Sequence, residues 1–142
     1  MSIARLMLVA VICTTFTGCS SYGRLRIDDS RAGSKLELVG NLRADSVLVM
    51  RDDLEEMWLV SSIASNVSPS LHRLAYGVVP IGWREAHEAI EIAPGHTYTV
   101  TMTWIHRVVQ VIKFLATEKD GAVVWTEISN KIYAPEFFCP LI

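Results

Sequence analysis

Four histidines, His72, His87, His96 and His106, are the side chains best equipped for metal binding or proton transfer. No two of them stand at the tight spacing of paired zinc ligands, and no carboxylate is fixed behind any of them. Glu85, His87 and Glu88 lie together in a charged stretch that reads more simply as solvated surface. His96 and His106 share the parity of Tyr98, Val100, Met102 and Trp104, so a regular strand sets them on one face. At about 3.4 Å per residue they stand roughly 34 Å apart, too far to share an ion. Asp52, Asp53, Glu55 and Glu56 offer hard oxygens for calcium, but without the loop pattern of known sites. The expectation is no metal and no cofactor.

Covalent catalysis is no better served. The chain has no nucleophile elbow, no phosphate-cradling glycine loop and no metalloprotease signature. Cys139 is a nucleophile by type, yet it sits in the apolar run Phe137-Phe138-Cys139-Pro140, where a positioned base is hard to arrange. An enzyme is not expected. Thr97, Thr99, Thr101 and Thr103 form a ladder on one strand face that could lie on a flat polymer, or simply face water. Among four tryptophans, Trp58, Trp83, Trp104 and Trp125, Trp104 has core parity. Trp83, between Gly82 and Arg84 at a strand end, is the one to suspect of partner or glycan contact. The tail from Ile132 to Ile142 holds one charge, Glu136, so Phe137, Phe138 and Cys139 either pack on their own domain or mark an interaction surface. An unpaired Cys139 could also join a second chain through a disulfide.

The whole chain bounds these readings. Its 142 residues suit one domain. A formal charge of −2 argues against a nucleic-acid partner, and a composition 51% apolar and 20% charged is globular. The mean hydropathy of +0.32 owes much to the first residues. Arg5 precedes the apolar run Leu6–Phe16, which is far short of the twenty or so residues that span a bilayer. It reads as the core of a secretory signal peptide. Phe16-Thr17-Gly18-Cys19-Ser20-Ser21 then resembles the lipobox of bacterial lipoproteins, with Phe16 where the motif prefers Leu. The resemblance implies cleavage after residue 18, acylation of Cys19 and, from Ser20, transfer to the periplasmic face of the outer membrane. Residues 19–23 then become a lipidated tether, and a protein carrying several acyl chains stays in the membrane. With Cys13 removed and Cys19 acylated, Cys139 has no partner within the chain, so the fold is not stapled by disulfides.

From residue 24 to 142 the pattern is mostly strand. Leu25 and Ile27 alternate with Arg24, Arg26 and Asp28, and Leu36 and Leu38 do so within Lys35–Val39. Further strands are predicted over 46–50, 57–63, 89–92, 97–107, 108–118 and 122–128. Arg51–Glu56 reads as a charged connection, Arg84–Glu88 as a charged turn, and 61–70 as a long loop. Leu71, Leu74 and Ala75 have the spacing of one helical turn. Pro80 restricts its neighbours to an edge or a bulge, and Asp120-Gly121 signals a tight hairpin. The prediction is an all-β domain, a single antiparallel sandwich of 7–9 strands. Ile92-Ala93-Pro94-Gly95-His96-Thr97-Tyr98-Thr99-Val100 resembles the corner of fibronectin type III and other immunoglobulin-like domains. There the Tyr hydroxyl bonds back to the backbone, so the resemblance implies a buried Tyr98. The function expected is a non-enzymatic binding or accessory module of the cell envelope, with membrane and protein as its partners. A binder of small ligands or glycans, and an inhibitor or immunity-type lipoprotein, are the alternatives.

Overall fold

The computed structural model describes residues 20–21, 23–28, 35–63, 70–133 and 137–138. The signal-peptide region, Cys19, most of the 61–70 loop and Cys139 therefore lie outside the described residues. Among those described, every regular element is a strand.

Alternation explains most of them. In β2 (Gly23–Ile27) Leu25 and Ile27 are buried while Arg24 and Arg26 face water. In β8 (Thr97–Trp104) Tyr98, Val100 and Met102 point inward and the four threonines outward. The other strands are β1 (Ser20–Ser21), β3 (Glu37–Arg43), β4 (Ser46–Arg51), β5 (Glu56–Ser62), β6 (Ser70–Ala75), β7 (Trp83–His87), β9 (Arg107–Lys119), β10 (Ala122–Ile132) and β11 (Phe137–Phe138). All pairings are antiparallel.

Two sheets face each other across one apolar core. One runs β2-β3-β6 and the other β10-β9-β8-β4-β5-β7. The chain changes sheet between β3 and β4, between β5 and β6 and again between β6 and β7, so the two sheets form an antiparallel β-sandwich. β10 extends the six-stranded sheet beyond β9, and β7 extends it beyond β5. A separate two-stranded pairing joins the ends: Ser20 lies opposite Phe138, and Ser21 opposite Phe137.

Tyr98 is fully buried, and its hydroxyl accepts from the Ala93 amide at 3.0 Å and donates to the Ala93 carbonyl at 3.1 Å. The corner expected from 92–100 is therefore present. Asp120 and Gly121, at φ +54° and +79°, form the two-residue turn between β9 and β10.

Four segments depart from the sequence reading. Residues 70–76 contain no helical turn: they form β6, and the three-residue spacing of Leu71 and Leu74 has another origin. The β3–β6 register slips between Val39 and Leu42, so two successive residues, His72 and Arg73, are exposed. Gly40 permits the slip, since at φ +147° a Cβ there would meet the Arg24 carbonyl oxygen at 2.2 Å. Residues 84–88 are not a turn: 84–87 belong to β7, an edge strand that can carry charge because one side is solvated. Residues 89–92 are not a strand; they run irregularly, tied by the Ile90 amide to the Met57 carbonyl at 2.9 Å. The long strand predicted to Arg107 stops at Trp104, because Ile105 and His106 take left-handed φ of +47° and +60° in a tight turn.

Candidate functional site

Where the irregular segment 88–92 passes the β9–β10 hairpin, the sandwich opens into a cleft of ≈ 690 Å³. Each wall is an aromatic ring braced from behind. Tyr76 follows β6 and meets Trp58 edge-on, centroids 5.3 Å apart. Trp58 is fully buried, and its indole N–H donates to Glu85 Oε2 at 2.7 Å, satisfying the one polar group of that ring. The Tyr76 hydroxyl lies 2.5 Å from the Ile90 carbonyl and 3.0 Å from that of Met57, so it pins the irregular segment to β5. Burial holds this hydroxyl's pKa well above its ordinary value, and it stays a neutral donor.

The facing wall is built from the core outward. Tyr98 stacks on Phe114 at 5.5 Å, and Phe114 meets Trp125 edge-on at 5.8 Å, which fixes Trp125 at the cleft. Ala122 and Val123 continue that wall toward the hairpin turn. Among the described residues, the floor and rim hold Leu36, Ala89, Ile90 and Ile92, together with Glu85, Glu88 and Glu91 and one cation, Lys35. The site is mostly aromatic and aliphatic, with an acidic rim. It has the means to hold a ligand but shows no nucleophile paired with a base.

The residues singled out from sequence fare differently. Trp83 is only 9% exposed and belongs to the core, so it offers a partner little surface. Phe137 and Phe138 lie in the short pairing with Ser20 and Ser21. Trp104 packs against the core only in part, despite its parity. The histidines are dispersed over β6, β7, the approach to β8 and the β8–β9 turn, and no three metal-ligating side chains converge among the described residues. The acidic run is split by its own partners. Arg51 takes Asp53, at 2.6 Å, and Glu55, whereas Asp52 turns to the Thr97 amide at 3.3 Å and His96 Nδ1 at 3.2 Å. The Arg51 hydrogen bond pulls the Asp53 pKa down to about 2, and the Thr97 amide is the main cause that lowers Asp52.

No family model, curated protein or solved structure matches the chain. Sequence reasoning missed Tyr76, Glu91 and Trp125 as parts of one site. One signal was present: Glu85, Glu88 and Glu91 recur every third residue around Ala89 and Ile90, a pattern that suits neither a strand nor a simple solvated turn.

Proposed function

We propose that the protein is a lipid-anchored component of the bacterial envelope, tethered through Cys19 to the periplasmic face of the outer membrane, whose sandwich is a non-enzymatic binding module serving an envelope assembly. The observation that carries the binding half is the cleft, with two braced aromatic walls and an acidic rim. Rigid backing of this kind lowers the entropy lost when a partner is bound. The anchoring half rests on Phe16–Ser21 and the apolar run before it. The pairing of Ser20–Ser21 with Phe137–Phe138 suits it, because it brings the apolar end of the chain back beside the tether. Phe137 and Phe138 then stand beside the tether, close to the membrane surface, rather than at the cleft.

A small-ligand binder is the second reading, favoured by a cleft volume within the range of about 300–1,000 Å³ of such sites. In that reading Trp125 takes the place first considered for Trp83. Anchoring is tested by Cys19→Ala, which should leave an uncleaved precursor that takes up no labelled fatty acid. Normal processing and labelling of that variant would remove the anchor from the proposal and leave the cleft.

A further inference from the structure

We infer that the cleft takes an extended basic peptide segment of an envelope partner, lying along the first half of β10 with its Lys or Arg side chains toward Glu85, Glu88 and Glu91. This rests on reading the cleft as the binding site. Three observations converge on it. Among the described residues the rim carries three carboxylates against one ammonium, Lys35, so a cationic occupant is the complementary one. Tyr76 and Trp125 wall the same space, and aromatic faces receive ammonium and guanidinium groups while the apolar rims of such residues cover their alkyl stems.

The third observation concerns the backbone. β10 is the last strand of its sheet, and its opening residues line the cleft. The far half of this edge is guarded, as exposed edges usually are, by Glu127, a bulge at Ile128 and Lys131. The near half, Ala122-Val123-Val124-Trp125-Thr126, carries no charge, no proline and no bulge. The unguarded half of the edge is the half beside the cleft. An added strand satisfies its main-chain groups there, and the carboxylates select the side chains.

The probe is a heptapeptide alternating Val and Lys, titrated into the purified full-length protein in detergent and followed by amide chemical shifts. Saturable binding is expected, with the largest shifts over 122–126. The double variant Glu88→Gln, Glu91→Gln should weaken it about tenfold without touching the core. The same peptide with Glu for Lys should not bind. Equal binding of the acidic peptide, an unchanged affinity in the double variant, or spermidine binding as tightly with no shifts along β10 would each overturn the proposal. A photo-crosslinking residue in place of Val123, activated in intact membranes, separates the two levels. A cross-linked partner segment rich in Lys or Arg supports the proposal. An acidic or neutral segment overturns it while leaving the binding site in place. No cross-link at all removes the binding site itself.

Discussion

Two open edges of this sandwich lie near each other and are treated in opposite ways. At β2 the outward backbone groups of Leu25 meet the side chain of Gln110 from β9. Its Oε1 accepts from the Leu25 amide at 2.8 Å, and its Nε2 donates to the Leu25 carbonyl at 2.6 Å. One side-chain amide thus does for β2 what a neighbouring strand would do. Asn130 of β10 completes the arrangement, 2.7 Å from Gln110 Nε2 and donating to the Leu25 carbonyl at 3.2 Å. At the start of β10, among the described residues, no strand or side chain fills the same role. A buried amide closes one gap between the sheets and ties the strand that follows the tether to the last hairpin. Further along the same hairpin the gap stays open and becomes the cleft.

The largest loss is expected at Gln110, which is fully buried. Gln110→Ala leaves the Leu25 amide without a partner and a void beside it, and should destabilise by about 3 kcal/mol in denaturant unfolding. Gln110→Met keeps the volume and removes the bonds, so it should retain at least half of that loss. A Gln110→Met protein as stable as the parent would mean that packing alone closes the β2 edge.

A smaller effect is expected one layer behind the cleft. Tyr98→Phe removes both bonds to Ala93 and should cost about 1–1.5 kcal/mol. Because Tyr98 stacks on Phe114, which in turn orients Trp125, the loss of stability should leave the cleft shape intact. Unchanged amide shifts at 122–126 would confirm that ring stacking, not the hydroxyl, positions that wall.

The same pair of edges shows what sequence can reveal. Alternation exposed the sandwich, and the nine-residue run ending at Val100 exposed the Tyr98 corner, because both depend on neighbours in the chain. Gln110 sits in the middle of an apolar strand, and its partner Leu25 is 85 residues away, so nothing local marks it as the substitute for a strand. The cleft was hidden for a related reason. Its walls come from Tyr76, the 88–92 segment and Trp125, which meet only through the sheet order. Glu85 and Glu88 were visible as charges, but their shared space with two rings was not. The β8–β9 turn was illegible because β-branched Ile105 rarely takes left-handed backbone and neither it nor His106 is a usual turn residue.

That turn gives a third test, of opposite sign. Ile105 is 62% exposed and held at φ +47°, a strained state for a β-branched residue. Its amide donates to Asp45 Oδ2 at 3.0 Å, which any replacement keeps except proline. Ile105→Asn should therefore stabilise by about 1 kcal/mol, in contrast to the losses at the β2 edge. No gain would mean that packing of the Ile105 side chain already offsets the strain.

The smallest effect belongs to the exposed counterpart of the Gln110 arrangement, the Arg51 turn. There charged partners replace a buried neutral amide, and water screens them. The Arg51 hydrogen bond holds the Asp53 carboxyl near 2 in the folded chain, against an ordinary value of 3.8. A group with a depressed folded pKa binds protons more readily when unfolded, so its contribution is fully present above the ordinary value. It is lost as pH falls from about 4 toward 2. Asp53→Asn should therefore lower Tm slightly at pH 6, and the gap to the parent should close by pH 2. The lowered pKa of Asp52 acts in the same direction, so Asp52→Asn should show the same closing gap. Gln110→Met carries no titrating group, and its deficit should be the same at both pH values. If the Asp53→Asn gap also persists unchanged to pH 2, the Arg51 turn is held by its backbone bonds, including Leu54 N–H to the Arg51 carbonyl at 2.9 Å, and not by its charges.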